Sequence, residues 1–219
     1  MKLTLEQRMA KDDAVHEIDN IMGRYAFYHG VSMHQKCLEL HALDTPGVRA
    51  EFPFGIFEGR EKITELYTVM VGAMDDKPEA RAGSWHQTTM TTSVIEIADD
   101  LRTAKGVWMC PAHAADAVGP DGKPNLNLQL AKYACDFVQE NGEWKIWHFR
   151  IFGIFGCPFD KSWVEIGDTP PHGPGDLPPQ FSPSRPPHPF YQYWKGAPYP
   201  TDEPVLPEPY KTFAETFEY

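Results

Sequence analysis

From Leu126 to Phe155 the chain reads LNLQLAKYACDFVQENGEWKIWHFRIFGIF. Asn141-Gly142 divides this stretch, and that dipeptide accepts positive φ at both positions, which is what the tight turn of a β-hairpin needs. The spacing therefore predicts one strand from Leu126 to Gln139 and its antiparallel return from Trp144 to Phe155. Working back along the chain, a loop containing Gly119-Pro120-Asp121-Gly122 precedes this hairpin. Before it, Thr103 to Pro111 reads as a further strand. Trp85 to Ile97, rich in Thr, Val and Ile, pairs with that strand across the turn signal Ala98-Asp99-Asp100.

Helices come first. Thr4-Leu5-Glu6-Gln7 has the form of a capping box, and Val15, Ile18, Met22 and Tyr25 recur on one helical face that Gly30 ends. Ser32-Met33-His34-Gln35 repeats the capping pattern and predicts a second helix to about Leu43, which Pro46 and Gly47 break. Val48 to Phe57 reads as two short extended pieces around Pro53 and Gly55. A third helix follows Gly59, with Ile63, Leu66, Tyr67 and Met70 on its apolar side. Helices followed by a meander of long strands define an α+β class rather than βαβ. The expected architecture is three N-terminal helices packed on a curved antiparallel sheet, leaving a cavity open at one end.

Residues 158–219 differ in kind, since they hold 15 of the 21 prolines, interleaved with Trp194 and several Tyr and Phe. Proline this dense forbids long helices and interior strands. Free disorder is opposed by the aromatic content. The expected division is a globular domain over 1–157 and an extended arm over 158–219, packed on the body or on a neighbouring subunit, or covering the mouth of the cavity.

Composition bounds the function. A net charge of −11 spread over 219 residues repels phosphate backbones, so nucleic acid is not an expected partner. No run approaches the length of a membrane span, and the polar N-terminus lacks a signal core, so a cytoplasmic protein is expected. Cys37, Cys110, Cys135 and Cys157 show no metal-binding spacing and read as reduced structural thiols. No phosphate loop, metal ladder or cofactor motif is present, so neither metal nor cofactor is expected. A curved sheet has an outer face that needs cover, so a homo-oligomer, dimer or trimer, is expected.

Several side chains carry candidate chemistry. His86 shares a strand face with Thr88 and Met90, and an imidazole moves a proton either way near neutral pH. Tyr25, Tyr28 and His29 lie three and four apart on the first helix, and a buried phenol can donate to a developing oxyanion. By alternation His148 and Arg150 point to one face with Ile146 and Phe152. There Arg150 would hold an anionic ligand group or sit in an ion pair, with Lys132 and Asp136 on the partner strand as pairing groups. Phe54, Trp85, Trp108 and Phe152 are candidate pocket walls, though plain cores are built of the same residues. His172 and His188, in the proline-rich arm, read as solvated loop residues.

In order along the chain stand Arg24-Tyr25-Ala26, Phe57-Glu58-Gly59-Arg60, Trp85-His86-Gln87, Thr103-Ala104-Lys105-Gly106-Val107-Trp108 and Gly142-Glu143-Trp144-Lys145-Ile146. On these motifs the chain resembles the SnoaL-like branch of the NTF2-like superfamily over roughly residues 5 to 155. The resemblance implies a cone-shaped fold and cofactor-free acid–base chemistry in an apolar interior. Dehydratases of that group use a Tyr and an Asp near the end of the first helix and a His on a strand. Tyr25 and His86 match the first and last, while the Asp position reads Gly30, leaving His29 or Tyr28 to take the polar role. The aromatic tail and Lys105-Gly106-Val107-Trp108 are similar to the lyases that remove formaldehyde from lignin-derived diarylpropanes. That likeness implies a cofactor-independent lyase on a hydroxylated aromatic molecule, with His86 and Tyr28 handling protons and Arg150 and His148 holding oxyanionic character. The alternatives are a dehydratase or isomerase of a polycyclic substrate, or a non-catalytic binding protein, because one fold hosts many activities.

Overall fold

The computed structural model describes residues 3–74, 82–116, 125–159, 161, 167 and 181–214. Helix α1 spans Leu5–Gly30, α2 His34–Leu38 and α3 Gly59–Met74. The strands are β1 Arg49–Phe52, β2 Gly55–Glu58, β3 Trp85–Thr88, β4 Thr91–Ile97, β5 Thr103–Asp116, β6 Asn125–Glu140 and β7 Glu143–Pro158.

The capping box of α1 is formed: Thr4 Oγ1 accepts from the Gln7 amide at 3.2 Å, and Gln7 Oε1 accepts from the Thr4 amide at 2.9 Å. The second capping box is not. Helix α2 starts at His34 with no side-chain cap and ends at Leu38, five residues short of the expected Leu43. Ser32 instead adopts φ 61°, a turn residue between two helices rather than an N-cap.

The strands form one sheet in the order β2-β1-β7-β6-β5-β3, with β4 also pairing β5. Every pairing is antiparallel except β1 with β7, so the sheet is mixed where the sequence suggested a purely antiparallel one. Asn141 and Gly142 both take positive φ, 53° and 82°, and turn β6 into β7 as the hairpin signal requires. The single extended piece expected over 85–97 is two strands, β3 and β4, both antiparallel to β5.

Helices α1 and α3 close the concave face of the sheet, and Ile18, Met22, Tyr25, Ile63, Leu66 and Tyr67 are buried there against Trp108, Phe137 and Phe149. Gly106 is required by this packing: the Trp108 indole lies where a Cβ at Gly106 would stand. The convex face carries a second, smaller core of Val107, Ala134, Phe152 and Ile154, onto which Phe190 and Tyr191 of the C-terminal segment pack. Register shifts in the β6–β7 hairpin, at Asp136/Phe137 and at Leu130/Ala131, break simple alternation. Across the first shift, Ile146 opposes Phe137 on the concave side, whereas His148 opposes Asp136 on the convex side. Ile146 and His148 therefore do not share a face.

No helix among the described residues is long and apolar enough to cross a membrane. His172 and the 119–122 loop lie outside the described residues.

Candidate active site

A cavity of about 590 Å³ opens between the concave face and the helices. Its polar lining comes from His29 at the end of α1, His34 at the start of α2, His86 and Thr88 on β3, and Tyr133 and Gln129 on β6. Phe52, Phe54, Met70, Ile151, Phe155 and Phe181 supply most of the apolar wall. Pockets for small molecules combine these two kinds of surface.

The imidazoles form a cluster. His29 Nδ1 lies 3.3 Å from His34 Nε2, and the His29 ring meets His86 edge-on at 4.7 Å between centroids. Burial pushes the His29 imidazole down to about 3, with the neighbouring His86 and His34 adding to the effect. His29 is therefore neutral at physiological pH and offers one ring nitrogen as a hydrogen-bond acceptor and the other as a donor. Tyr133 has its hydroxyl bonded to Thr88, and burial raises its acidity range well above that of a free phenol, so it stays a phenol. Cys110, also in the wall, is pushed up to about 12 by burial and stays a thiol. The four cysteines are free and buried. Among the described residues no group of His, Cys, Asp and Glu is arranged to hold a metal ion.

Tyr25 sits one layer behind this wall. It is 1% exposed, stacks under His29 at 5.9 Å, and packs on Phe149 at 4.9 Å. Its hydroxyl accepts from Tyr67 at 3.2 Å, and Tyr67 in turn lies 3.0 Å from His41 Nε2. Tyr28 packs partly buried against the same core and is not among the residues lining the cavity. Both tyrosines thus support the site rather than face its contents.

Other expected residues fall elsewhere. Trp108 is a core residue, edge-on to Phe137 at 6.0 Å with its indole N–H donating to Asp19 at 3.3 Å. Trp85 is half exposed, stacks near His113 at 6.4 Å, and lines a separate outer hollow with Phe27 and Val31. Phe152 belongs to the convex-face core under the Arg150 guanidinium, 4.3 Å from its ring centre.

His148, Arg150, Lys132 and Asp136 are also convex, with no access to the cavity. His148 Nδ1 meets Asp136 Oδ2 at 2.8 Å, both buried. Arg150 Nε lies 3.3 Å from Glu51 Oε1, and one of its amino groups donates to the Pro189 carbonyl at 3.2 Å. Lys132 Nζ donates to the Glu203 carbonyl at 2.7 Å. His188 is not a solvated loop residue: its amide donates to Glu51 at 2.8 Å and its Nδ1 lies 3.0 Å from the other Glu51 oxygen. Arg150, Lys132 and Glu51 thus bind the C-terminal segment to the sheet, while the His148–Asp136 pair joins β7 to β6.

Two cavity-lining residues, His34 and Tyr133, were missed from sequence, as was His41 in the layer behind. In the sequence His34 falls within the Ser32–Gln35 capping pattern, and Tyr133 lies within the strand expected from Leu126 to Gln139. A histidine within five residues of His29, across a helix–turn–helix, was the available signal.

The family model described as the SnoaL-like domain matches residues 13–150, and the chain belongs to that family. Among curated proteins, none matches the sequence. Solved structures share the fold at low identity. A protein provisionally assigned as a scytalone dehydratase from Novosphingobium aromaticivorans has a TM-score of 0.54 at 10% identity, covering 73% of this chain and 94% of its own. A type 2 hexachlorocyclohexane dehydrochlorinase (LinA) gives 0.53 at 15% identity, over 77% of this chain and 99% of its own. The Kfla4162 protein from Kribbella flavida gives 0.53 at 16%, over 67% and 94%.

Proposed function

We propose that this chain is a cofactor-independent lyase that eliminates from a hydroxylated aromatic small molecule bound in the concave cavity. The observation that carries this reading is the cluster of three imidazoles, His29, His34 and His86, on one wall of an otherwise largely apolar cavity. An imidazole that titrates near the working pH is a competent base, and its conjugate acid then protonates a leaving hydroxyl. Two of the structural relatives are described as a dehydratase and a dehydrochlorinase, both of which perform eliminations, and this agrees with the same class of chemistry.

In this reading His86 takes the substrate proton and returns it to the departing hydroxyl as water, with His29 as its neutral neighbour. Thr88 and Tyr133 hydrogen-bond the substrate oxygen where negative charge develops. In the finer version the substrate is a diarylpropane diol. Loss of the benzylic hydroxyl as water from a para-hydroxylated ring gives a quinone methide. Deprotonation of the primary alcohol then breaks the adjacent C–C bond, releasing formaldehyde while the electron pair restores the phenol and leaves a stilbene. Arg150 and His148 take no part, because they lie across the sheet and are committed to Glu51 and Asp136.

The test is incubation of the purified protein with chelator and a panel of diarylpropane diols and hydroxylated polycyclic ketones, followed by product mass. Products short of a water plus a formaldehyde support the finer version, and products short of water alone support dehydration. Turnover that His86→Ala leaves intact would overturn the assignment of the base.

A further inference from the structure

The C-terminal segment does more than cover the convex face. Its residue Phe181 enters the lining of the concave cavity, beside Phe52 and Phe54 from the β1–β2 turn. Phe181 stacks on Phe54 at 4.9 Å with rings 29° apart, and meets Phe57 edge-on at 6.5 Å. Phe52 in turn lies 5.4 Å from Phe54 and 5.8 Å from Phe149. A continuous aromatic surface therefore runs from the sheet to the segment.

Its position is fixed by backbone bonds rather than by loose packing. The Ile56 amide donates to the Arg185 carbonyl at 2.9 Å, and the Ser184 amide donates to the Ile56 carbonyl at 2.7 Å. The Glu58 amide donates to Ser184 Oγ at 3.0 Å, and Arg185 Nε meets Glu58 Oε1 at 3.0 Å. Gly55 admits this approach, since a Cβ there would fall 2.5 Å from Pro183 Cβ. Arg185 thus meets Ile56 in an isolated antiparallel bridge on β2, and the bonds on either side of it fix the segment that carries Phe181.

The lining is segregated. Imidazoles and hydroxyls come from α1, α2, β3 and β6, whereas the phenylalanines come from β1, the β1–β2 turn, β7 and the C-terminal segment. We infer that Phe181 is a specificity residue, which with Phe54 selects substrates whose hydroxylated ring carries a second, planar aromatic ring over those with a saturated ring. This rests on the reading of the cavity as the substrate site. A flat ring presents its edge or face to an aromatic wall and gains from the quadrupole interaction, which a puckered ring of similar area does not.

The test uses two probes that differ in one ring, 4-phenylphenol and 4-cyclohexylphenol, titrated calorimetrically into the full-length protein. Wild type should bind the first roughly 2- to 12-fold more tightly. Phe181→Leu, which keeps an apolar wall, should abolish that preference, and Phe181→Tyr, which keeps the ring, should retain it. His86→Ala should leave the preference in place while removing turnover, which separates specificity from chemistry. Equal binding of both probes by wild type, or a preference unchanged in Phe181→Leu, overturns the inference and leaves the proposed lyase standing. Binding of neither probe would overturn both.

Discussion

The two faces of the sheet hold similar residues in opposite conditions. On the concave side His29, His34 and His86 stand around a cavity with no described carboxylate or cation in its lining. On the convex side His148, His188, Arg150 and Lys132 are each engaged, by Asp136, Glu51 or a carbonyl of the C-terminal segment. A histidine next to open space can exchange a proton with a guest. One locked to a buried carboxylate holds two pieces of chain together. Residue type and strand parity do not distinguish these cases; the cavity beside one set of imidazoles and the buried carboxylates beside the other do.

The comparison breaks most sharply at His86 and Glu51. His86→Ala should lower turnover of a confirmed substrate by about 10²–10⁴, the usual loss for a proton-transfer group, with little change in melting temperature. Glu51→Ala should do the reverse. Glu51 is 2% exposed and serves both Arg150 and His188, so its loss removes the carboxylate from a buried guanidinium and should cost about 3–5 kcal/mol in denaturant unfolding. Turnover per folded molecule should fall far less than in His86→Ala. A Glu51 variant that unfolds normally but has lost catalysis would place the chemistry on the wrong face.

The sequence carried the fold well because its signals are local. The Thr4 capping box, the Asn141-Gly142 turn and the Pro53–Gly55 break each act within a few residues, and each formed as expected. The site was half legible. His86 and His29, singled out by spacing and by the family resemblance, both line the cavity. Arg150, His148, Asp136 and Lys132 do share a face, but only His148 and Asp136 pair within the group, and nothing in strand alternation says which face of a two-sided sheet is the hollow one. The shift opposite Asp136/Phe137 made this worse, since it sends Ile146 and His148 to opposite sides. The partners that decide the matter, Glu51 and His188, lie 99 and 38 residues from Arg150 by their numbering, beyond any spacing argument.

Gly30 sharpens the comparison at the boundary of the cavity. Where the resemblance calls for an aspartate, a Cβ would fall 2.9 Å from the His86 carbonyl oxygen, so α1 touches β3 there backbone to backbone. The glycine therefore sets how close His29 comes to His86. Gly30→Ala should push the helix end away at a cost of about 1–3 kcal/mol and reduce turnover by loosening the imidazole cluster. A variant with unchanged stability and activity would show that this contact does not position the site.

The smallest effect is expected at His41, behind the wall. Burial lowers the imidazoles of both His41 and His29 to about 3. A histidine depressed on folding favours the native state above its ordinary value near 6.5 and loses that contribution as pH falls toward its folded value. Melting temperature should therefore decline between about pH 6.5 and pH 4, as the unfolded chain takes up protons that the folded chain refuses. His41→Gln can still donate an amide N–H to Tyr67 but has no such titration, so its melting temperature should depend less steeply on pH in that window. His29→Gln should flatten the curve in the same sense and also impair turnover, whereas His41→Gln should leave turnover close to wild type. Equal losses of activity in the two variants would mean that the His41–Tyr67–Tyr25 chain belongs to the catalytic apparatus and not only to its support.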